Sequence, residues 1–244
     1  MNRRLFLSAT AAMSLSTWRL SALTHASGRL TSRPHPPKGT IAPGTISLGL
    51  ATPRDTQLFV PTGYNAKKPS ALIVGLHGAT QSNSVIWRIL QAQAEAHNML
   101  LLAPNSRDTT WDLIRDDFGP DEALLDKALA WTFDRCNVDP KHVAIAGFSD
   151  GASAAISLGL INGDLFPKIV GFSPGFVVGE ERHGKPVVFI SHGTRDQILP
   201  IDQTSRRIVP RLKEAGVSVT YHEFDGPHTA PPDMVAAAMT WLAI

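Results

Sequence analysis

The chain has 244 residues, of which 43% are hydrophobic and 18% charged, with a formal net charge of +2. That is enough apolar material for one sizeable core, and it excludes disorder, collagen and coiled coil as descriptions of the whole chain. The positive balance comes from the front: residues 1–26 hold Arg3, Arg4 and Arg19 and no acid, so without them the formal charge is −1 and gives no reason to expect nucleic acid.

Met1–Ala26 reads as an export leader. Asn2-Arg3-Arg4 is a charged start, Leu5 to Leu15 an apolar run too short to cross a bilayer, and Thr24-His25-Ala26 offers small residues around a cut. Arg3-Arg4-Leu5-Phe6-Leu7 resembles the twin-arginine export signal, with Asn2 where Ser or Thr is usual. The resemblance implies a periplasmic or secreted protein with no membrane insertion once the leader is cut; an N-terminal anchor is the alternative. Residues 27–44, broken by Pro34, Pro36, Pro37, Gly39, Pro43 and Gly44, read as a linker outside the fold. The single cysteine, Cys136, excludes an intrachain disulfide and a Cys₄ or Cys₂His₂ zinc site, and reads as a small buried hydrophobe.

From residue 45 on, apolar runs alternate with helical patterns. Residues 45–51 and 57–60 fit two antiparallel strands. The run at 71–76 (ALIVGL) is continuous, as a strand covered on both faces requires. A helix at 83–96, a strand at 99–103, a helix at 121–133, a strand at 143–148 and a helix at 152–160 follow. Further strands fall at 169–172, 187–191 and 217–224, with helices near 202–215 and 233–242. Pro210 should kink or break the first of those two helices. This alternation predicts one α/β domain over 45–244, a mostly parallel central sheet with helices on both faces.

Gly147-Phe148-Ser149-Asp150-Gly151 fits G-x-S-x-G between a strand and a helix. A nucleophilic serine needs that setting: it stands on a strained turn, at a helix N-terminus whose amides and dipole favour a developing oxyanion. Partners should follow in the order acid, then histidine. Asp196 comes just after the strand at 187–191, where α/β sites assemble, and His228 lies in the loop after 217–224. Their roles would be those of a Ser–His–Asp triad: Ser149 attacks, His228 moves the proton, Asp196 orients the imidazole. Asp202 and Asp225 are weaker acids for the role, one resembling a helix start and the other only three residues from His228. His222 lies within a strand, and His192 precedes the acid, which breaks the order. Oxyanion donors are expected at the amides of Ala79, in the loop after the ALIVGL strand, and Asp150, with Thr80 as rival to Ala79 and His77 as loop support.

Together LHGATQ (76–81), GFSDGAS (147–153), HGTRDQILP (192–200) and DGPHTAP (225–231) resemble the α/β-hydrolase superfamily. More narrowly, they resemble small serine esterases of the phospholipase/carboxylesterase and polyester-depolymerase-like group. Asp150 departs from the Gln more usual there. The resemblance implies a cofactor-independent esterase acting on small or polymeric esters; an acyltransferase, a peptidase or a non-catalytic binding protein would share the scaffold. Only 47 residues separate Ser149 from Asp196 and 32 separate Asp196 from His228, which leaves no room for a cap domain and predicts an open site. Trp111, on the 105–112 stretch, and Phe148 are the expected substrate contacts, Phe176 a weaker one. Arg107 and Arg115 read as surface ion-pair partners. No H-x-x-x-H, H-E-x-x-H, P-loop or G-x-G-x-x-G helix opening is present, so neither metal nor nucleotide is implied.

Overall fold

The computed structural model describes residues 28–243 except 52, 116, 117 and 180. The leader expectation, Met1–Ala26, lies outside the described residues. Eight strands form one sheet: β1 (Gly44–Ser47), β2 (Gln57–Val60), β3 (Ser70–Leu76), β4 (Leu100–Ala103), β5 (Val138–Phe148), β6 (Lys168–Phe172), β7 (Val187–Gly193) and β8 (Ser218–Phe224). Their spatial order is β1-β2-β4-β3-β5-β6-β7-β8. β2 runs antiparallel to β1 and β4, and every pairing from β4 to β8 is parallel.

The helices are α1 (Asn83–Ala96), α2 (Asp112–Arg115), α3 (Pro120–Phe133), α4 (Asp150–Ile161), α5 (Ser205–Glu214) and α6 (Pro232–Ala243). Strand alternation sorts the central residues into two cores. Leu72, Val74, Val143, Ile145, Val188 and Ile190 face the layer that holds α3, α4 and α5. Ile73, Ala144, Ala146, Val170 and Phe189 face α1 and α6, where they meet Ile86, Leu90, Val235 and Met239. Burial on both faces is why these strands read as continuous apolar runs.

The 27–44 stretch needs correction. Among its described residues, 28–43 form no helix or strand, as the prolines require, yet they are strapped to the body. Leu30 is a core residue, its N–H donates to Asn162 Oδ1 at 2.8 Å, and Asn162 Nδ2 donates back to Gly28 O at 2.8 Å. The amides of Thr31 and Ser32 donate to Asp126 Oδ1 at 2.9 and 2.8 Å, and Asp164 pairs with Arg29 and Arg33 at 2.8 and 2.6 Å. Backbone without secondary structure is held here by carboxylates that accept its orphan amides.

Two smaller differences follow the same logic. α5 runs unbroken through Pro210: the lost N–H costs one intrahelical bond, and the buried Ile208, Val209 and Leu212 hold the helix against the sheet. α2, a single turn, carries too few residues to show a helical period.

Candidate active site

The three ends of β5, β7 and β8 lie on one edge of the sheet, because parallel strands all deliver their carboxyl ends to the same side. At the end of β5, Ser149 adopts φ 58° and ψ −123°, a conformation that costs a non-glycine residue energy and that the surrounding turn enforces. The flanking glycines explain how the turn closes. A Cβ on Gly147 would lie 1.9 Å from Gly151 O, and one on Gly151 would lie 2.2 Å from Leu76 O. Only glycine at both positions lets strand, turn and helix pack this closely.

Ser149 Oγ lies 2.8 Å from His228 Nε2, and His228 Nδ1 lies 2.6 Å from Asp196 Oδ2. Asp196 is anchored at its other oxygen, where Oδ1 accepts the amides of Ile198 and Leu199 at 2.9 and 2.8 Å. Burial pushes the Asp196 carboxyl up, but those amides and the His228 imidazole outweigh it and hold the group below the ordinary carboxylate range. The two loops are tied to each other: Thr194 N–H donates to Phe224 O at 2.9 Å and Arg195 N–H to Gly226 O at 3.0 Å. The rival acids sit elsewhere, Asp225 paired with Arg195 at 2.7 Å and Asp202 with Arg206 at 2.8 Å, both on the surface. His222 stacks on Phe189.

On the other side of Ser149, the loop after β3 approaches so closely that a Cβ on Gly78 would lie 3.1 Å from Ser149 Cβ. Thr80 N–H donates to Thr109 O at 2.5 Å, which removes it as a donor to a ligand. The amides of Ala79 and Asp150 have no partner among the described residues, Asp150 being in the first turn of α4, where amides lack an intrahelical acceptor. His77 supports this loop: it is fully buried, its Nδ1 faces Gly78 O at 2.8 Å, and its Nε2 accepts Ser106 N–H at 3.0 Å. Burial pulls its pKa down to about 4, so the ring stays neutral and Nε2 remains an acceptor.

Trp111 is not at the rim. It is 2% exposed, its Nε1–H donates to His77 O at 2.8 Å, and its ring lies 4.9 Å from the His77 ring. A buried indole needs a hydrogen-bond acceptor, and the loop carbonyl supplies it. The 105–112 stretch is therefore a brace for the loop after β3, through Ser106, Thr109 and Trp111, and Thr110 Oγ1 adds a bond to Asp150 Oδ2 at 2.8 Å. No spacing rule ties these positions to residue 77, so the sequence did not reveal them. Arg115 pairs with Asp108 on the surface, as expected.

Phe148 does border open space. It and His228, ring centroids 4.9 Å apart, line a cavity of about 460 Å³ whose other walls include Val85, Ile89 and Arg88 of α1 and Val235 of α6. Phe176 is exposed and lines a separate cavity with Ile208 and Leu212. Cys136 is buried in the core, and burial pushes its thiol up to about 12, which leaves it without nucleophilic character. Among the described residues, the stretch 173–186 after β6 holds no helix or strand, so no cap covers the site.

Residues 102–244 match the model of the family described as Phospholipase/Carboxylesterase. The chain belongs to that family. A probable feruloyl esterase C from Aspergillus oryzae is 32% identical over 158 residues, covering 61% of this chain and 57% of its own length. The chain thus spans little more than half of that relative. An S-formylglutathione hydrolase (FrmB) structure from Staphylococcus aureus superimposes with a TM-score of 0.66 at 17% identity, covering 82% of this chain and 99% of that one. A ferulic acid esterase from Anaeromyces mucronatus, solved with ferulic acid, gives 0.60 at 17% identity, covering 82% and 89%. These likenesses and the sheet order give the α/β-hydrolase fold.

Proposed function

We propose that the chain hydrolyses carboxylic esters through a covalent acyl intermediate on Ser149. The observation that carries this reading is the continuous hydrogen-bonded line from Ser149 Oγ through His228 to Asp196, with bonds of 2.8 and 2.6 Å. Oγ attacks the acyl carbon while His228 Nε2 takes its proton. The tetrahedral oxyanion is received by the amides of Ala79 and Asp150. The intermediate collapses, the alcohol leaves with the proton held on Nε2, and a water activated by the same nitrogen releases the acid. Asp196 stabilises the imidazolium in both halves.

For the substrate, we propose esters of an aromatic acid of the feruloyl kind. Two features support this: the likeness to feruloyl esterases, and a cavity beside His228 of mixed polar and apolar lining, with the Phe148 ring on one side and Arg88 and Gln93 among its polar walls. The uncapped site leaves space for the alcohol part to be a bulky or polymeric residue. The export reading of Met1–Ala26 suits an enzyme that meets such esters outside the cytoplasm, and N-terminal sequencing of exported protein checks it. Among the described residues, no helix is long and apolar enough to cross a membrane.

The test is hydrolysis of p-nitrophenyl acetate, p-nitrophenyl butyrate and p-nitrophenyl ferulate, which share one leaving group, by wild type and Ser149→Ala. Wild type should turn over all three, with the highest kcat/KM on the ferulate, and the variant should fall at least about a thousandfold. Equal rates for the two proteins would refute the mechanism, and a preference for butyrate over ferulate would refute the acyl assignment.

A further inference from the structure

Asp196 has a second imidazole against it. His192, at the end of β7, is completely buried, and its Nε2 lies 3.1 Å from Asp196 Oδ2, the oxygen that His228 also uses. The same Nε2 lies 2.9 Å from Leu199 O, and Nδ1 lies 2.7 Å from Ser205 Oγ at the start of α5. A carbonyl only accepts, so the proton must be on Nε2. That leaves Nδ1 to accept from the Ser205 hydroxyl. Burial lowers the His192 pKa and outweighs the Leu199 carbonyl and the Asp196 carboxylate, which pull it up, so the neutral ring is favoured.

We propose that His192 is a positioning residue: its Nε2–H, shared between Leu199 O and Asp196 Oδ2, fixes the second carboxylate oxygen and sets how strongly Asp196 holds the proton on His228. Oδ1 is already fixed by two amides; Oδ2 otherwise has His228 alone. A donor that remains in place through the cycle keeps the carboxylate plane aimed at Nδ1 and withdraws part of its charge, so His228 releases its proton more readily to a leaving alcohol. Sequence order rightly excludes His192 as the base, and it says nothing about a second ligand of the acid.

The titratable and charged neighbours are few. From the loop after β7 there is Asp196, and through it His228. From α5 there is the Ser205 hydroxyl. From β8 there is Glu223, paired with His192 in the sheet register and held by Arg206 at 2.6 Å and Tyr221 at 3.0 Å. Arg206 also holds Asp202 at 2.8 Å, so this surface cluster keeps a net negative charge, but among the described residues Asp196 is the carboxylate within hydrogen-bond reach of His192.

This inference rests on the esterase reading for its consequence, and its primary test is independent of turnover. In the full chain labelled with ¹⁵N-histidine, NMR should show His192 with Nε2 protonated and Nδ1 bare from pH 5 to 8. His192→Leu and His192→Phe, which both lack the donor, should move the His228 titration midpoint to higher pH. His192→Gln, whose carboxamide N–H can replace Nε2–H, should restore it. On an active ester, the acid limb of kcat/KM should follow these shifts, and kcat should fall about tenfold, the size of one lost hydrogen bond. An Nδ1–H tautomer in wild type, or an unmoved midpoint in a folded donor-less variant, overturns the inference. A protein that shows the NMR shifts but hydrolyses no ester overturns the esterase reading instead.

Discussion

The two loops that flank Ser149 are built in opposite ways. The turn at 147–151 is written in one contiguous stretch: its two glycines, its strained serine and the start of α4 follow one another, with one outside bond from Ser149 N–H to Phe172 O at 2.9 Å. The loop at 77–81 has bonds of its own, Gln81 N–H to Gly78 O at 3.3 Å and Gly78 N–H to Gln81 Oε1 at 3.2 Å, but it also leans on a distant stretch of chain. Its conformation depends on Ser106, Thr109 and Trp111, about thirty residues on, each making one hydrogen bond to it. Each loop has one amide without a partner among the described residues, but the first is specified mostly by contiguous sequence and the second in large part by tertiary contact. Local specification makes a motif, whereas tertiary specification leaves no periodicity or spacing to recognise.

Three substitutions sharpen that contrast. Gly147→Ala should be the most damaging, because its Cβ would meet a backbone oxygen that no side-chain rotation can move. Ester turnover should fall below about a thousandth of wild type, with a lower Tm. Ala79→Pro removes a single amide from the other loop, so kcat should fall by about 10²–10³ with KM and Tm nearly unchanged, the cost of one oxyanion donor. Unchanged kcat in a folded Ala79→Pro protein would reassign the donor. Trp111→Phe replaces the indole with a smaller ring and deletes the N–H that holds His77 O, leaving a buried carbonyl unpaired and a small void. It should cost about 1–3 kcal/mol of stability and a smaller loss in kcat, read by thermal unfolding alongside steady-state kinetics.

The smallest effect concerns the strap at 28–43. Burial raises the Asp126 carboxyl, but bonds from Thr31 and Ser32 outweigh it, so its folded pKa lies below the unfolded one; that of Asp164 is lowered chiefly by Arg29. Stability from such groups is present above the unfolded carboxylate pKa and is lost as pH falls through the folded one. Hydrogen exchange of the Thr31 and Ser32 amides, taken relative to an intrinsic rate that itself falls as pH drops, should therefore lose protection at acid pH before that of the β3–β7 amides does. In Asp126→Ala it should already be fast at pH 7. Equal protection of strap and sheet across this range would contradict the assignment.

Much of this architecture was legible in advance. The strands from β3 to β7 announce themselves because both faces of their central residues are buried, and the glycine-flanked turn and the two downstream loops place their candidate residues at strand ends. What escaped was non-local. Trp111 reads as a rim aromatic because a tryptophan after a strand end looks available, and only the fold shows that His77 O claims its indole. The proline-rich stretch reads as free chain because it has no helix or strand, while its anchors, Asp126, Asn162 and Asp164, lie about a hundred residues away. His192 stands on the wrong side of Asp196 for the Ser–acid–His order, yet Asp196 is only four positions on and the turn after β7 brings the two side chains together.

The most direct measurement of the central claim is covalent labelling with a fluorophosphonate, in which an activated serine oxygen attacks phosphorus and fluoride leaves. Peptide mass mapping should place one phosphonyl group on Ser149 in wild type, none in Ser149→Ala, and a strongly slowed reaction in His228→Ala. A folded wild-type protein that stays unlabelled, or carries the group on another residue, would contradict the account.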